Sequence, residues 1–440
     1  MTDRLVVTGG RPLRGHVRVP GDKSISHRAL LVAALADGRS SLRGLSDGED
    51  VARTEDAVSA LGARCHHTGE RQLEVTGGGV LAQPPAPLDC GNSGTTMRLL
   101  SGAVAAFPIE VELVGDASLS ARPMDRVAHP LRAMGASVTG TGDRCLPPLR
   151  VRGGGLRAID YTPPMASAQV KSCVLLAGLG AEGTTVVREP VPTRRHTEEL
   201  LVRCGATLTE TDAGGAHVVR LEPSSLCPLE LEVPGDPSQA AFWVVAASVI
   251  PDSDVVVERT YTGAGRRGFL DVLARMGADI SEVPASGPRT MDEVSDIRVR
   301  SARLRGTEVQ AAEITGLDEV PVLAVAAAVA EGTTVFRSMG ELRVKESDRF
   351  TGVVALVRAF GGTADVAGDD LVVTGVPELH PAHVHSAGDH RMAMAAAVAG
   401  LAAGGGETTV SGWAATATSY RAFDAHLRML AGFGRAEVGA

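Results

Sequence analysis

The strongest constraint on the fold is a sixfold repeat that is marked by glycines. Helix-like segments end in a small or apolar residue followed by glycine, and these glycines are Gly62, Gly135, Gly205, Gly277, Gly361 and Gly434. Successive glycines are 73, 70, 72, 84 and 73 residues apart. A glycine that ends a helix before a β-rich stretch is a common stop signal, but five near-equal spacings predict one structural unit that is used six times.

A second series of helices runs in phase with the first. These helices are rich in alanine and begin near Ser24, Ser93, Ser167, Ser238, Asp318 and Asp389. They are apolar on nearly every face, which is typical of buried helices, whereas the glycine-ended helices are amphipathic. Runs with a β pattern separate the two series, at 110–114, 184–187, 255–258, 333–337 and 408–410. Each period therefore predicts an α/β unit of about four strands and two helices.

A longer repeat divides the six units into two groups of three. The sequence VPGDKS at 19–24 returns as VPGDPS at 233–238, which is 214 residues later. We interpret the two copies as two crossings of one hinge, near 20–21 and near 234. Residues 22–233 then form one domain, and residues 1–19 with 235–440 form the other. We expect the six buried helix N-termini to converge on the cleft between the domains, where their dipoles attract anions.

Composition excludes several classes of protein. The chain has 440 residues, of which 44% are hydrophobic, so it is long enough for two or three globular domains. A net charge of −9 argues against a general nucleic-acid binder. The six cysteines show no CxxC spacing and give no support for a zinc or redox site. We expect reduced thiols in a cytoplasmic protein, because the opening residues resemble no signal peptide and the most apolar run, 320–330, is too short to span a bilayer.

Cations and hydroxyls crowd the start of the first buried helix. Lys23, Ser24 and Arg28 lie in its first turn. Cations are normally disfavoured there, because the helix N-terminus already carries partial positive charge. Their natural partner is an anion, held by free N–H groups, hydroxyls and fixed charge. A capped surface helix with solvated charges is the alternative explanation for this stretch alone.

Three more helix starts in the first half repeat this chemistry. Gly94 lies in the small-residue turn GNSGTTMR at 91–98, whose backbone N–H groups can approach an anion closely. Arg122 precedes a proline at a helix start, where it can contact an anion with two N–H groups. The third buried helix opens with Ser167, Ala168 and Gln169. An ordinary capping turn and a solvated arginine are the alternative explanations.

The second half carries the densest charge cluster, at 345–349. Lys345 and Arg349 are four residues apart and share a face if the segment is helical. Local ion pairs with Glu346 and Asp348 are the alternative explanation. Charged residues also stand at the starts of the fifth and sixth buried helices, where plain capping is the alternative: Asp318, Glu319, Asp389, His390 and Arg391.

Together and in order, these segments resemble the enolpyruvyl transferases, and within that family the branch that acts on shikimate 3-phosphate. The matching segments are PGDKSISHRAL (20–30), GNSGTTMRLL (91–100), ARPMDRVAHPLRAMGA (121–136), SAQVKS (167–172), EPVPTRRHTEELL (189–201), VPGDPSQAAF (233–242), LRVKESDRF (342–350) and DHRMAM (389–394). They span most of the chain, and their combination is specific. The resemblance implies a two-domain inside-out α/β barrel of six βαβαββ repeats, three per domain, with the active site in the interdomain cleft.

The resemblance also implies a reaction. The enolpyruvyl group of phosphoenolpyruvate would move to the 5-hydroxyl of shikimate 3-phosphate by addition and elimination, with release of phosphate, on the route to chorismate and the aromatic amino acids. The family needs no metal and no other cofactor. Its implied partners are these two small molecules, without nucleic acid or membrane, and the expected state is a cytoplasmic monomer.

Individual roles follow from the motif match. The implied contacts to shikimate 3-phosphate are Lys23, Ser24, Arg28, Ser167, Ala168, Gln169, Asp318 and Lys345. The implied contacts to phosphoenolpyruvate are Lys23, Gly94, Arg122, Gln169, Arg349 and Arg391. Asp318 would take the proton from the attacking hydroxyl, with Glu346 as its partner in proton transfer. Lys23 and His390 are further candidates for proton delivery.

Some positions depart from the family pattern. Thr418 stands where many members have lysine. Arg195 stands where they usually have aspartate, so we expect added positive charge near the shikimate 3-phosphate side at this position. Ala117 occupies the place of the reactive cysteine of the branch that acts on UDP-N-acetylglucosamine, which disfavours that branch. A paralogue with another cyclic acceptor stays an alternative. A catalytically dead anion-binding protein is disfavoured by the presence of Lys23, Asp318 and Arg391.

Overall fold

Two compact units make up the chain. The computed structural model describes residues 3–432 apart from 286 and 288. One unit, here the inserted unit, holds residues 21–233 together with the short segment 288–291. The other, here the flanking unit, holds residues 1–20, 234–287 and 292–440 as far as they are described.

Helices account for much of both units. The described residues form thirteen α-helices: α1 Lys23–Leu35, α2 Glu49–Ala60, α3 Gly94–Ala105, α4 Ala117–Ser120, α5 Asp125–Ala133, α6 Ala168–Gly178, α7 His196–Arg203, α8 Pro237–Val249, α9 Gly268–Arg275, α10 Val320–Val329, α11 Arg349–Ala359, α12 His390–Ala402 and α13 Phe423–Ala431. Two 3₁₀ helices cover Gly340–Val344 and Trp413–Thr418.

Short strands alternate with these helices. In chain order, the strands of the described residues are β1 Arg4–Thr8, β2 Arg14–Val17, β3 Asp37–Arg43, β4 Arg64–Gly69, β5 Gln72–Gly78, β6 Leu88–Asp89, β7 Glu110–Val114, β8 Ser137–Thr141, β9 Leu146–Arg152, β10 Asp160–Tyr161, β11 Thr185–Glu189, β12 Leu208–Ala213, β13 Ala216–Leu221, β14 Glu230–Glu232, β15 Asp254–Tyr261, β16 Asp279–Pro284, β17 Val294–Arg300, β18 Glu308–Gln310, β19 Thr333–Arg337, β20 Thr363–Ala367, β21 Asp370–Thr374, β22 His383–His385 and β23 Glu407–Ser411.

One strand-pairing pattern recurs in all six sheets. A first strand pairs in parallel with a second, which pairs antiparallel with a third. The sheets of the inserted unit are β14-β3-β5-β4, β6-β7-β9-β8 and β10-β11-β13-β12. Those of the flanking unit are β2-β15-β17-β16, β18-β19-β21-β20 and, with three strands, β22-β23-β1. The six α/β repeats predicted from the glycine spacing, three in each unit, are confirmed.

Two repeats take their first strand from a distant part of the chain. β14 follows the third repeat of the inserted unit but pairs in parallel with β3 of the first. In the flanking unit, β2 pairs in parallel with β15 across more than 200 residues of sequence. The order βαβαββ therefore runs without interruption only in some repeats, such as β10-α6-β11-α7-β12-β13.

The buried helices begin where the alanine-rich pattern predicted. Helices α1, α3, α6, α8, α10 and α12 start within two residues of the predicted positions. Five of them are capped by a side chain that accepts a hydrogen bond from a backbone N–H of the helix. The capping residues are Asp22, Ser93, Ser167, Asp236 and Asp389. Helix α10 differs, because neither Asp318 nor Glu319 accepts such a bond. Plain capping is therefore the wrong explanation for this acidic pair.

The predicted stop glycines adopt the left-handed conformation. The φ angles are +104° at Gly62 and Gly135, +84° at Gly205, +93° at Gly277 and +80° at Gly361. An L-residue adopts this region only at a cost, so glycine is required to end these helices tightly. The sixth predicted position, Gly434, lies outside the described residues.

The alanine-rich helices form the centre of each unit. In the flanking unit, α8, α10 and α12 pack against one another, and nearly all their residues are buried. In the inserted unit, α3 packs against α1 and α6. Small alanine side chains allow this close approach, while the strands outside alternate buried and exposed residues. Across the described part of the chain, no helix combines the length and apolarity that a membrane span requires.

Candidate active site

In the inserted unit, the first turns of α1 and α6 meet around Arg28. This guanidinium is only 2% exposed. Its Nε donates to Thr197 Oγ1 at 2.7 Å, and its Nη2 donates to Ser172 Oγ at 2.7 Å. Its Nη1 donates to the carbonyl and hydroxyl oxygens of Ser24, at 3.0 and 2.6 Å, and the Ala168 carbonyl accepts a longer bond of 3.4 Å. Three of the predicted site residues, Ser24, Arg28 and Ala168, are thus in one network.

A second contact joins α3 to α6 next to Gly94. Arg98 Nη1 donates to Gln169 Oε1 at 2.7 Å, and Gln169 Nε2 donates to Thr95 Oγ1 at 2.9 Å. A Cβ added at Gly94 would lie 3.0 Å from Arg98 Nη1 and 3.6 Å from Arg122 Nη1. The glycine therefore keeps free the space beside two guanidinium groups at a helix N-terminus. Such a place favours an anion.

Arg98 was not among the predicted site residues. Burial and the nearby guanidinium of Arg122 lower the pKa of Arg98 to about 10. Arg122 itself is oriented by a 2.6 Å bond from its Nη2 to Asn92 Oδ1. Two cations held this close favour a bound anion that offsets their repulsion. The sequence does place Arg98 one helical turn after Gly94. Which way its side chain faces, however, depends on the register of the helix, which the sequence does not give.

Buried hydroxyls connect the helix starts of the inserted unit. His27 Nδ1 lies 2.7 Å from Thr54 Oγ1, which lies 2.7 Å from Thr96 Oγ1. Thr96 in turn contacts Ser93 Oγ, the cap of α3, at 2.7 Å. Lys23 forms an ion pair with Asp50 of α2. These contacts fix Lys23 and the α3 turn relative to each other.

One group of metal-ligating side chains occurs among the described residues, and it lies in the inserted unit. Glu189, Glu198 and His217 have ligand atoms within 4.8 Å of one another. Lys171 Nζ, however, lies 2.7 Å from Glu189 Oε2 and 2.6 Å from Glu198 Oε1. The buried ammonium already provides the positive charge that a metal ion would bring. Lys171, Glu189 and Glu198 therefore form an internal ion triad, here called the Lys171 triad.

Arg195 does not project an uncompensated charge. Its Nε and Nη2 donate to the two carboxylate oxygens of Glu210, at 2.7 and 2.5 Å. This two-pronged contact raises the pKa of Arg195 above its usual value even though burial opposes it. The added charge expected at this position is therefore neutralised within the unit. Thr418, the other departure, ends a 3₁₀ helix and donates its hydroxyl to the Ala415 carbonyl at 2.8 Å.

In the flanking unit, Arg349 joins three carboxylates. Its Nη1 donates to Asp318 Oδ1 at 2.9 Å, and its Nε donates to Asp389 Oδ2 at 2.8 Å. Its Nη2 lies 2.6 Å from Glu346 Oε2. The guanidinium is fully buried, and these carboxylates raise its pKa although burial alone would lower it. Arg349 also holds the pKa of Asp389, the cap of α12, at about 2 against the opposing effect of burial.

Asp318 lies between two arginines. Its second carboxylate oxygen is 3.3 Å from Arg391 Nη2. Burial alone would raise the pKa of Asp318, but Arg391, Arg349 and Lys345 together hold it well below its usual range. Nε and Nη1 of Arg391 are buried and have no hydrogen-bond partner among the described residues. These two donors are available to an anion next to an ionised carboxylate.

Glu319, the residue after Asp318, has the opposite environment. Its carboxyl is 5% exposed, and the Ser238 hydroxyl donates to its Oε1 at 2.5 Å. Burial and the neighbouring Asp318 charge raise the pKa of Glu319, and Arg266 only partly opposes this. The pKa values of the two adjacent carboxyls are thus shifted in opposite directions. The motif match did not single out Glu319, because its partners lie on α8 and in the loop before α9.

His390 and Lys345 complete the predicted set. Burial, Arg391 and Arg349 lower the pKa of His390 to about 3, so its ring is neutral at physiological pH. Lys345 follows the 3₁₀ helix and lies 2.9 Å from Glu341, whereas Arg349 opens α11. The expected shared helical face of Lys345 and Arg349 is therefore wrong, because Asp348 starts a new helix between them.

The lysines of this chain are few and clustered by role. The sequence contains three, Lys23, Lys171 and Lys345, beside 40 arginines. Lys23 and Lys345 are partly exposed, with side chains 25% and 18% accessible, whereas Lys171 is sealed in its ion triad. Both accessible lysines belong to the predicted site.

Comparison with known proteins identifies the family. A profile of the EPSP synthase family, 3-phosphoshikimate 1-carboxyvinyltransferase, matches residues 7–427. The chain belongs to the EPSP synthase family. Family members named 3-phosphoshikimate 1-carboxyvinyltransferase include one from Synechococcus sp. (strain JA-3-3Ab), 46% identical over 97% of both chains. Another, from Maricaulis maris, is 45% identical over 96% of this chain and 94% of its own.

Solved structures give the same grouping. The EPSP synthase of Acinetobacter baumannii superposes with a TM-score of 0.87 at 36% identity, covering 97% of this chain and 98% of its own. The enolpyruvyl transferase NikO of Streptomyces tendae superposes with a TM-score of 0.76 at 22% identity over 97% of both chains. The likeness to NikO concerns the fold alone. The EPSP synthase fold predicted from the repeats and motifs, an α/β fold of two domains, is thus confirmed.

Proposed function

We propose that this protein transfers the enolpyruvyl group of phosphoenolpyruvate to the 5-hydroxyl of shikimate 3-phosphate and releases phosphate. The observation that carries the proposal is the Asp318 carboxylate, held ionised between Arg349 and Arg391. The reaction needs cations for a polyanionic substrate and a base beside them, and this cluster supplies both. Membership of the EPSP synthase family supports the same reaction.

Substrate binding draws on the two sets of residues described above. Shikimate 3-phosphate contacts the hydroxyl and cation cluster of the inserted unit, and Asp318 and Lys345 of the flanking unit. Its contacts in the inserted unit are Lys23, Ser24, Arg28, Ser167, Ala168 and Gln169. The phosphate and carboxylate of phosphoenolpyruvate contact Lys23, Gly94, Arg122, Gln169, Arg349 and Arg391. In this proposal both sets of residues act on the same pair of substrates.

Phosphoenolpyruvate itself makes Asp318 a competent base. Without substrate, Arg349 and Arg391 hold the pKa of Asp318 so low that the carboxylate is a weak base. An anion that engages Nε and Nη1 of Arg391 and shares Arg349 reduces the net positive charge around Asp318. The pKa of Asp318 then rises toward its ordinary value, and the carboxylate can accept the proton of the 5-hydroxyl.

The bond changes form two balanced steps. In the addition, the 5-oxygen bonds to C2 of phosphoenolpyruvate while its proton passes to Asp318 and a proton adds to C3. In the elimination, the C2–O bond to phosphate breaks, C3 loses the proton that it gained, and the departing phosphate takes the proton from Asp318. Glu346, which contacts Arg349, exchanges the proton at C3, with Lys23 as the second candidate. His390, whose ring is neutral at physiological pH in the substrate-free site, is the third candidate for this proton.

The proposal includes the expected setting, a cytoplasmic monomer that requires no metal, nucleic acid or membrane. Its test is continuous phosphate release with purified protein, phosphoenolpyruvate and shikimate 3-phosphate. We expect release that requires both substrates and falls by about 10²-fold or more in Asp318→Asn, which keeps the shape of the side chain but not its basicity. Asp252→Asn is the matched control, because Asp252 lies in an exposed turn whose positive φ asparagine tolerates.

Two results would contradict the proposal. Equal rates in wild type and Asp318→Asn would remove the carboxylate from the chemistry. Binding of phosphoenolpyruvate without phosphate release in the presence of shikimate 3-phosphate would point to a different cyclic acceptor, and related cyclitols would then be assayed in its place.

A further inference from the structure

The turn that carries Asp318 has an unfavourable backbone. Gly316 has φ +88°, and Leu317, which is buried, has φ +57°. A leucine in the left-handed region is strained and stays there only if the residues around it are held in place. The next two residues, Asp318 and Glu319, are the ones that are held by side-chain contacts. The strained conformation of Leu317 therefore requires contacts that hold this turn in place.

We infer that Glu319 is a positioning residue that anchors the Leu317 turn to helix α8 and so keeps Asp318 oriented during the reaction. The inference rests on the proposed function, since it assigns Glu319 a part in that chemistry without contact to the reacting atoms.

The anchor is a short chain of contacts between two helix starts. The Ser238 hydroxyl, in the first turn of α8, donates to Glu319 Oε1 at 2.5 Å. Arg266 Nη1 lies 4.0 Å from the same oxygen, and Arg266 Nη2 donates to Asp236 Oδ1 at 2.8 Å. Asp236 caps α8 through the Ser238 N–H at 2.8 Å. Glu319 is thus tied at one atom to a rigid, capped helix.

The Glu319 side chain does not stabilise α10 as a helix cap. Glu319 occupies the cap position of α10, but its side chain accepts no N–H of that helix. Burying a carboxyl is unfavourable, and an apolar residue would fill the same space at lower cost. Its retention next to a strained turn is explained if the bond from Ser238 fixes that turn.

The two arginines cannot replace this anchor throughout the reaction. Arg349 and Arg391 hold Asp318 in the substrate-free site. In the proposed mechanism the same arginines engage phosphoenolpyruvate, so their hold on Asp318 weakens when its position matters most. The Ser238–Glu319 bond does not involve a substrate-binding arginine and persists through the reaction. A base displaced by about 1 Å can lose about 10²-fold in rate, which is the size of effect at stake.

The test compares three variants with one matched control in the phosphate-release assay. We expect Glu319→Ala to lower kcat by about 10-fold or more, with KM for both substrates within about threefold of wild type. Glu319→Gln keeps an oxygen that accepts from Ser238 and should retain kcat within about threefold. Ser238→Ala should lower kcat by a smaller factor. Glu331→Ala, at an exposed position two residues after the end of α10, should behave as wild type.

A second readout does not depend on turnover. Amide hydrogen exchange over residues 314–322 should increase in Glu319→Ala and Ser238→Ala, but not in Glu319→Gln or Glu331→Ala. If the wild-type protein releases no phosphate, the proposed function fails, and hydrogen exchange alone then decides whether the anchor exists.

Several outcomes would overturn the inference. These are a wild-type kcat in Glu319→Ala, equal losses of kcat in Glu319→Ala and Glu319→Gln, and unchanged hydrogen exchange in the alanine variants. A joint fall of kcat, rise of KM and lower melting temperature in Glu319→Ala would show a general structural role instead. If Glu319→Ala does not fold, Ser238→Ala decides, and an unchanged kcat and exchange rate there overturn the anchor.

Discussion

The buried guanidinium of Arg349 forms ion pairs with three carboxylates at once. Its three contacts reach Asp318, Glu346 and Asp389, which lie on three separate segments of the flanking unit. A guanidinium has five N–H donors in a fixed plane, so it can meet all three carboxylates at once. A lysine at this position would offer a point charge and lose that geometry. Arg349 therefore helps to position both the proposed base and the α12 cap.

The buried ring of His27 predicts a defined dependence of stability on pH. Burial, together with Lys23 and Arg28, lowers the pKa of His27 to about 3, although Asp50 opposes the shift. The unfolded chain binds a proton at this histidine below about pH 6.5, whereas the folded protein does not. The stability contribution of neutral His27 is therefore complete above pH 6.5 and is lost as the pH falls toward 3.

Replacing His27 should flatten this dependence. We expect the free energy of unfolding of His27→Gln to fall less steeply below pH 6, by about 1.4 kcal/mol for each pH unit. Urea unfolding at pH 7.5, 6, 5 and 4 would measure it. His129→Gln is the control, because His129 is exposed, and its slope should match wild type. An unchanged slope in His27→Gln would mean that the buried ring accepts a proton in the folded state.

Short motifs identified most of the individual site residues but not their partners. Asp318, Arg349 and Arg391 were predicted from segments that resemble a known family, and the structure brings these three together. Arg98 and Glu319 were missed as site residues. Nothing in the local sequence distinguishes a helix-start arginine that faces Gln169 from one that faces water. The assigned roles of all these residues stay predictions.

The buried Lys171 triad joins three secondary-structure elements of the inserted unit. Lys171 on α6 contacts Glu189 at the end of β11 and Glu198 on α7, and all three side chains are almost fully buried. Burial alone raises the pKa of Glu198, and the ammonium opposes this effect. Removing the ammonium leaves two buried carboxyls without their counter-charge, which is strongly unfavourable.

We expect Lys171→Met to lower the free energy of unfolding by about 3–5 kcal/mol. Urea denaturation followed by circular dichroism would measure the change. Arg150→Met, which breaks an exposed ion pair with Glu112, is the control and should leave stability almost unchanged. A small effect of Lys171→Met would show that the carboxyls become protonated without cost or that water reaches them.

The pattern of elements was easier to predict than their pairing. The starts of the six buried helices followed from alanine-rich runs behind capping residues, because both signals are local. Strands β7 and β19 match the predicted ranges 110–114 and 333–337. The parallel partners β14 and β2 could not be derived, since each pairs with a strand that local sequence does not indicate. The predicted shared helical face of Lys345 and Arg349 was wrong, because Asp348 caps a new helix between the two residues.

For the chain as a whole, the repeat architecture predicts that the inserted unit folds alone. Its three sheets and its central helices are complete within residues 21–233, and β14 closes the first sheet from within that range. Leaving out segment 288–291 removes the Glu232 N–H bond to the Arg289 carbonyl, one exposed ion pair, and the buried side chains of Thr290 and Met291. The exposed ion pair contributes little to stability, so the main expected cost is the loss of these two buried side chains.

A fragment of residues 21–233 should therefore unfold in a single cooperative urea transition and show α/β circular dichroism. It should release no phosphate, because Asp318, Arg349 and Arg391 are absent from it. The full chain is the control in both assays. A fragment without a cooperative transition would contradict the independence of the unit, and a fragment with turnover would contradict the assigned base. The proposed hinge at 20–21 and 234 stays a prediction.

The scarcity of lysine gives this chain a practical chemical property. Arginine does not react with acylating reagents such as N-hydroxysuccinimide esters, and Lys171 is sealed from solvent. Apart from the terminal amine, only Lys23 and Lys345 present an accessible amino group. Mild acetylation of the native protein should thus modify the two lysines that are proposed to bind substrate, and almost nothing else. Protection of those two sites, read by mass spectrometry, would report directly on occupancy by any ligand, including one that is never turned over.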